Sequence, residues 1–335
     1  MVLRKVTIKA ADGILVEYGD RRLLLDPTRA AGSDLVFISH AHYDHLLLKG
    51  GQKVLASKET VALANARGIG ITNPVTEIDG LKMLNSGHIL GSRSLLIDDE
   101  IYYTGDFSLR SRAFLKGGET PRCRVLIIES TYGKEQFTFP STDEVIHKTH
   151  KLISEHFSNG RPVILMGYPI GKAQILTNIF SAWKPFYQHG AIEKINSTIN
   201  SLGFELLGGS YLTYQEAQTR GLLDKKPWVL ITPMYSGRST FISSLKKKYG
   251  AITIAFSGWA AEPGFKYAMN VDYAIPLSDH CDFTELKEVV KRCSPEVVYT
   301  FHGFAAEFAE HLRREGFDAR PLSSMQETLG AYADE

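Results

Sequence analysis

The chain has 335 residues, 44% hydrophobic and 22% charged, proportions that suit a globular protein with room for one large or two modest domains. Lys and Arg number 38 against 37 Asp and Glu; the formal net charge of +1 excludes a global positive field, so any binding of polyanions needs a local basic groove. Three widely spaced cysteines (Cys123, Cys281, Cys293) exclude a disulfide framework and a C-x-x-C metal pair, residues 1–5 (Met-Val-Leu-Arg-Lys) carry no apolar leader core, and no apolar run spans a bilayer, which implies a soluble cytoplasmic protein with no membrane partner.

Residues 6–27 read as hairpin-linked antiparallel strands, with alternation in 6–8 and 13–18 and a turn at Gly19-Asp20. Asp26 ends the last of them ahead of Pro27, either as a turn cap or as a carboxylate orienting a ligand loop. The apolar run Leu35-Val36-Phe37-Ile38 then leads into Ser39-His40-Ala41-His42-Tyr43-Asp44-His45, three imidazoles and a carboxylate within six residues. On extended backbone His40 and His42 alternate towards one ion, while Asp44 and His45 turn towards another. Such donors suit zinc, with manganese as the alternative.

A strand over 53–56 and a helix over 58–67 capped by Ser57 follow, then short strands over 75–78 and 81–84, the second delivering Ser86-Gly87-His88. The hairpin 94–97/101–103 ends in Thr104-Gly105-Asp106. A carboxylate-bridged metal pair needs roughly seven or eight protein ligands. His40, His42, Asp44, His45, His88 and Asp106 make six.

A strand over 124–128 presents Glu129, as a cap or as an orienting carboxylate. The helix over 141–157 opens on a capping-box pattern, and its His147, His150 and His156 are expected on the solvated face because no acidic neighbours match their spacing. The strand 161–166 leads through Gly167 to Lys172 into a helix over 173–183, a glycine-flanked turn whose amides, with the Lys172 charge, face an anion. Strands over 228–232 and 252–256 precede Ser236-Gly237-Arg238 and Ser257-Gly258-Trp259, loops that offer hydroxyls and amides to phosphate oxygens. The run Lys246-Lys247-Lys248 reads as a solvated helix end. A strand over 272–275 delivers Ser278-Asp279-His280, and after a helix over 283–291 a strand over 296–301 delivers His302-Gly303. A helix over 305–315 follows.

The ordered set Ser39 to His45, Ser86-Gly87-His88, Tyr103-Thr104-Gly105-Asp106, Glu129-Ser130-Thr131-Tyr132, Ser278-Asp279-His280 and Phe301-His302-Gly303 resembles the metallo-β-lactamase fold of the β-CASP nucleases. That group includes the 3′-end cleavage endonuclease of messenger RNA, ribonuclease J and the Artemis-type DNA nucleases. The resemblance spans nearly the whole chain. It implies an α/β fold in which residues 1–134 and 273–335 form an αββα metallo-β-lactamase sandwich, interrupted by an inserted α/β β-CASP cap domain over 135–272. It also implies two zinc ions (manganese being the alternative), with His40, His42 and His88 on the first, Asp44, His45 and His302 on the second, and Asp106 bridging. Glu129, His280 and His302 match the family's three later motifs, and Asp26 looks like its strand-end structural aspartate. The implied reaction is phosphodiester hydrolysis by a hydroxide held between two dications, with Asp44, Glu129 and His280 as the catalytic set. His280, protonated, would stabilise the charge that develops or donate to the leaving 3′ oxygen, Glu129 would orient it, and a 5′-phosphate would be left.

His302 resembles the RNA-directed members, whereas Ser278-Asp279-His280, Phe256-Ser257-Gly258-Trp259 and the short chain resemble small exonucleases associated with DNA ligase or of the 3′-end processing type. The reading adopted is a single-stranded DNA exonuclease whose 5′-phosphate pocket uses Ser236, Gly237, Arg238, Ser257 and Gly258, with Lys172 as a further anion contact; an RNA nuclease of the 3′-end processing type is the alternative. A small-molecule metallohydrolase of this fold shares the first motif, but the cap and the His280/His302 pair argue against it. A non-catalytic nucleic-acid-binding subunit would lose ligands, and all seven candidates are present. A homo-oligomer is compatible with the cap, although no motif requires one. Tyr43 is bulkier than the small residue often found between these ligands.

Overall fold

The computed structural model of the chain describes residues 6–29, 33, 35–48, 50–204 and 211–322; residues 1–5 and the end of the expected sandwich domain, 323–335, lie outside them. The described chain divides into two compact units, one of residues 6–111, 115–135 and 280–322, the other of 112–114 and 136–279. Both are of mixed α/β construction. Among the described residues no helix is long and apolar enough to cross a membrane.

The first unit opens with the antiparallel meander expected from its alternation: β1 (Val6–Ala10), β2 (Ile14–Tyr18) and β3 (Arg21–Leu25), the last two joined by Gly19-Asp20. Parallel strands β4 (Leu35–Phe37), β5 (Lys53–Leu55) and β6 (Pro74–Val75) extend it to six strands in sequence order. The strand expected over 75–78 shrinks to two residues at this sheet's edge, where Pro74 has no N–H to give the ladder. Helix α1 (Lys58–Ala66) links β5 to β6, and the Ser57 hydroxyl accepts the Thr60 N–H at 3.0 Å as its N-cap. Strands β7 (Leu81–Asn85), β8 (Arg93–Ile97), β9 (Ile101–Tyr103) and β10 (Val125–Glu129) begin a second sheet.

The second unit is built on α2 (Thr142–Ser158), β11 (Val163–Met166), α3 (Lys172–Phe180), β12 (Phe186–Gln188), α4 (Gly190–Ser201), α5 (Tyr214–Thr219), β13 (Val229–Thr232), α6 (Thr240–Tyr249), β14 (Ile252–Phe256), α7 (Phe265–Met269) and β15 (Tyr273–Ile275). Its five strands form a parallel sheet in the order β12-β13-β11-β14-β15, and the near-continuous apolar sequences of β11, β13 and β14 follow from burial on both faces. β12, α4 and α5 were not foreseen in the sequence. The solvated face expected for the α2 histidines holds for His147 alone. His156 extends the buried stripe Val145, Thr149, Ile153 and lies 3.1 Å from the Tyr273 hydroxyl, while His150 Nδ1 accepts the Trp183 indole N–H at 2.9 Å. Partners remote in the chain, Tyr273 and Trp183, meet these two imidazoles on the packed side of the helix.

Back in the first unit, α8 (Phe283–Cys293), β16 (Val297–Phe301), α9 (Ala305–Arg314) and β17 (Asp318–Pro321) complete the second sheet, ordered β17-β16-β10-β9-β8-β7. Period-2 alternation divides its side chains between two cores. Leu95, Ile97, Ile101, Tyr103, Val125 and Ile127 pack with Val16, Leu23, Phe37 and Leu55 of the first sheet. Leu96, Tyr102, Leu126 and Ile128 pack with Leu286 and Val290 of α8 and Phe308 and Leu312 of α9. Each such side chain contributes about 1.5–3 kcal/mol of transfer free energy, so the strands are rigidly placed and their ends can carry precise loops.

Candidate metal centre

The ends of β3, β4, β7, β9, β10 and β16 deliver Asp26, the loop 39–45, His88, Asp106, Glu129 and His302. Two glycines let these loops approach closely. Gly13, at φ +124°, would place a Cβ 2.8 Å from the Leu25 carbonyl oxygen and 2.9 Å from that of Asp26; Gly105, at φ +55°, would place one 2.7 Å from Ser39 Cβ.

Asp26 is the organising carboxylate. It is buried, and it accepts the Ser39 N–H at 2.7 Å, the Ser39 hydroxyl at 2.5 Å and the Tyr103 hydroxyl at 2.7 Å. His45 Nδ1 lies 3.1 Å from its Oδ2. Since the single Ser39 hydroxyl proton points at an acceptor-only carboxylate, Ser39 Oγ receives a proton from its other neighbour, His40 Nδ1, at 2.8 Å. Burial, followed by the neighbouring His45, His42 and His88 rings, pushes the His40 pKa well below the ordinary imidazole range. His40 is therefore neutral, protonated on Nδ1, and presents an Nε2 lone pair.

That lone pair meets others. His42 Nδ1 lies 3.0 Å from His40 Nε2 and 3.2 Å from His88 Nε2, and Asp106 Oδ2 lies 3.4 Å and 3.6 Å from the Nε2 atoms of His40 and His88. Ligands about 2.0–2.1 Å from a tetrahedral ion stand roughly 3.3–3.4 Å from one another. The four donors thus have the edge lengths of a small divalent-metal cage. Asp106 also belongs to a second group: its Oδ2 lies 3.7 Å from His45 Nε2, and His45, Asp106 and His302 bring ligand atoms within 4.8 Å of one another. Asp44 Oδ2 is 3.4 Å from His45 Nε2 at the solvent side of this group. His45 Nε2 and Asp106 Oδ1 are buried without a hydrogen-bond partner, a costly arrangement that a cation relieves. Burial works against a charge on His45, but Asp44, Asp106 and Asp26 outweigh it and raise its pKa well above the usual value; burial raises that of Asp106. The donor set therefore fits metal, which would take the place of a proton shared between acids and imidazoles.

A second network stands beside it. Glu129, fully buried, accepts the Phe107 N–H at 2.8 Å and the Thr131 hydroxyl at 2.5 Å, and lies 2.8 Å from His280 Nδ1. Burial alone would favour the neutral acid, yet His280 and these donors bring the Glu129 pKa below its usual value. The His280 ring lies 4.6 Å from that of His88, centroid to centroid. Asp26 and His302 both adopt left-handed backbone, at φ +40° and +59°, strain of about 1–3 kcal/mol each that their surroundings must hold in place. For His302 the hold includes the Ser130 hydroxyl on its carbonyl at 2.8 Å.

All ten strand-end candidates, Asp26, His40, His42, Asp44, His45, His88, Asp106, Glu129, His280 and His302, fall within the first unit. The six anion-pocket candidates belong to the second. There the Gly237 N–H donates to the Met269 carbonyl at 2.8 Å and the Ser257 N–H to that of Ile275 at 3.3 Å, so neither amide points at an anion. Gly258 is buried in the turn that follows, the Ser236 hydroxyl accepts the Arg238 N–H at 3.2 Å, and Arg238 is exposed. Lys172, expected as an anion contact, instead has its ammonium buried 2.8 Å from Asp279 Oδ1, because the first turn of α3 packs inward. The sequence reading overlooked Ser39 as a proton relay between Asp26 and His40, Tyr103 and Thr131. All three stood inside motifs already singled out, Ser39 before His40, Tyr103 before Asp106 and Thr131 after Glu129, but their partners lie far off in the chain or, for Thr131, on the motif's own carboxylate.

No protein-family model matches the chain. Of curated proteins, it is 32% identical over 298 residues to a probable DNA ligase of Opitutus terrae, covering 84% of this chain and 28% of that one. It is 34% identical over 131 residues to an RNase J-like protein of Methanocaldococcus jannaschii, covering 35% and 31% respectively. The chain thus spans less than a third of either relative. Of solved structures, one of a protein of unknown function from Enterococcus faecalis V583 superposes with a TM-score of 0.62 at 15% identity, over 97% of this chain and 99% of that one, a likeness of fold.

Proposed function

We propose that this chain, which belongs to the metallo-β-lactamase/β-CASP nuclease family, hydrolyses phosphodiester bonds of nucleic acid at a dinuclear metal centre. The observation that carries the reading is the convergence of His40 Nε2, His42 Nδ1, His88 Nε2 and Asp106 Oδ2 at 3.0–3.6 Å beside a second group that shares Asp106. His40, His42 and His88 would hold the first ion, Asp44, His45 and His302 the second, and Asp106 both; zinc suits these donors best, with manganese the alternative. On this reading the first unit is the metallo-β-lactamase sandwich and the second the β-CASP cap.

Bound divalent ions supply Lewis acidity to the phosphoryl oxygens and make water a nucleophile near neutral pH. The chain's own groups do the rest. Asp26 fixes the metal loop through Ser39 and orients His45, so that the donors stand in place before any ion or substrate arrives. Glu129 accepts a hydrogen bond from His280 Nδ1–H and fixes the ring, and the protonated Nε2 would serve the leaving 3′ oxygen. A 5′-phosphate product results.

Single-stranded DNA attacked from a 5′ end is the substrate we favour, because the relative named a DNA ligase aligns with 84% of the chain and the RNase J-like one with 35%. Ser236 and Arg238 remain the side chains proposed for the 5′-phosphate, together with Ser257 and Gly258. The test is degradation of matched 5′-phosphorylated DNA and RNA single strands, labelled separately at each end, by zinc- and manganese-loaded protein. Mononucleotide release from the DNA 5′ end, lost in Asp106→Ala, is expected; preferential RNA cleavage would transfer the same site to RNA processing. A His280→Ala protein that kept its metal and full activity would remove the assigned proton donor.

A further inference from the structure

The first unit has two exposed large apolar side chains among its described residues, Tyr43 at 43% exposure on the metal loop and Leu47 at 48% two residues beyond it. Tyr43 is the residue between the donors His42 and Asp44 and opens a single turn of 3-10 helix over Tyr43–His45. An aromatic ring left in water at that position forgoes burial that a smaller residue would not need.

The ring is also fixed. The Arg67 guanidinium carbon lies 3.6 Å from its centroid, a face-on cation–π contact. Arg67 directly follows α1, and its Nη1 donates to the Ala41 carbonyl at 2.8 Å, so the side chain lying on Tyr43 is tied to the same loop two residues upstream. The Tyr43 hydroxyl donates back to the Arg67 carbonyl at 3.3 Å. One face of the ring is covered by a cation, both partners are anchored, and the rest of the ring remains in solvent, on the loop that carries the donors His42 and Asp44. Such a surface gives a planar, apolar ligand a stacking partner whose ordering cost has been met in advance, with positive charge close by for a polyanion.

We propose that Tyr43, backed by Arg67, is a stacking platform for a nucleobase flanking the bond to be cleaved, and so a determinant of substrate positioning. The inference rests on the nuclease reading above. A base–aromatic stack is sequence-tolerant, since every base has a π-face, and its removal typically weakens binding by about tenfold or more. The hydroxyl is not required.

The test compares a normal single-stranded DNA oligonucleotide with a fully abasic tetrahydrofuran oligomer of the same length. Binding is read by fluorescence anisotropy in the Asp106→Asn background, and cleavage in the otherwise unaltered metal-loaded enzyme. Tyr43→Leu should weaken binding of the normal strand about tenfold and raise its KM to match, leave the abasic oligomer unaffected, and keep wild-type metal content. Tyr43→Phe should stay within about twofold of wild type on both strands. Equal losses on both oligomers, or none on the normal one, would overturn the platform and leave Tyr43 a loop-packing residue. If the unaltered enzyme cleaves neither strand while the normal one binds in a Tyr43-dependent way, the nuclease reading falls and the platform stands; if neither strand binds, both fall.

Discussion

Replacing Asp26 by Asn and Tyr103 by Phe, singly and together, measures how strongly the carboxylate beneath the metal loop holds the site. Asp26 accepts three hydrogen bonds, from Ser39 N–H, Ser39 hydroxyl and Tyr103 hydroxyl, and stands 3.1 Å from His45 Nδ1. In Asp26→Asn the amide oxygen can keep the Ser39 N–H, but the NH2 group replaces the oxygen that accepts the Ser39 and Tyr103 hydroxyl protons, and the Tyr103 O–H loses its acceptor. Tyr103 is 1% exposed and has no route to water. Losing hydrogen bonds to a charged acceptor costs about 1.5–3 kcal/mol each, and a stranded buried hydroxyl about 1–3 kcal/mol, so a loss of roughly 3–5 kcal/mol is expected. Tyr103→Phe alone should cost about 1.5–3 kcal/mol, since Asp26 keeps both Ser39 donors. In the double variant the stranded donor is gone, and the two losses should fall short of additivity by about 1 kcal/mol or more. Urea unfolding of all four proteins, with metal content measured in parallel, gives the cycle. Additivity within about 0.5 kcal/mol, or an Asp26→Asn loss below about 1 kcal/mol, would refute this account of the network.

Lys172 should make the stability of the second unit rise with pH. Burial pulls its pKa down to about 8 against the opposing pull of Asp279. Between pH 8 and 10.5 the unfolded chain holds a proton that the folded one has released, so stability increases across that window, by an amount on the order of 3 kcal/mol when complete. Urea midpoints taken at pH 7.5 and 10 should show this gain in the wild type and its loss in Lys172→Met. Removing metal should lower stability: the four donors at 3.0–3.6 Å repel or share protons without an ion, and at free metal 100-fold above Kd the gain on loading is about 2.7 kcal/mol. Chelation followed by stepwise zinc addition in a melting experiment checks it, and a melting temperature that ignores zinc would contradict the assignment. Gly105→Ala should destabilise by roughly 1–3 kcal/mol and reduce metal affinity, because its Cβ would lie 2.7 Å from Ser39 Cβ at φ +55°; urea midpoints and zinc competition report the two effects.

Several features were legible because they depend on near neighbours in the chain. The period-2 pattern of β2, the capping box at Ser141 and the H-x-H-x-D-H motif each combine residues a few positions apart, and metal chemistry draws on few residue types. The sequence reading was less secure wherever an element was short or weakly patterned. β12 has three residues, too few for a period, and α4 is rich in Ser, Thr, Asn and β-branched Ile, residues of middling helix propensity; its buried Ile192, Ile195 and Ile199 were the available signal.

Tertiary structure alone decided the distances between groups remote in the chain. That His40 carries its proton on Nδ1 follows from Asp26 reaching Ser39 across thirteen residues, and that Glu129 holds His280 follows from a contact across 151. Neither pairing has a sequence period. The same holds for the groups that were misplaced: His156 and Lys172 each carry a residue type that usually seeks water, and each is buried because a partner, Tyr273 or Asp279, meets it from a distant strand or loop. A residue's chemistry is written in the chain, whereas its exposure, tautomer and charge are set by what the fold brings against it. The sequence by itself therefore determined which groups could hold metal and at which strand ends they stand. Only the folded chain determined that four of them converge at ligand distance, since that convergence is a property of two packed sheets and not of any one segment.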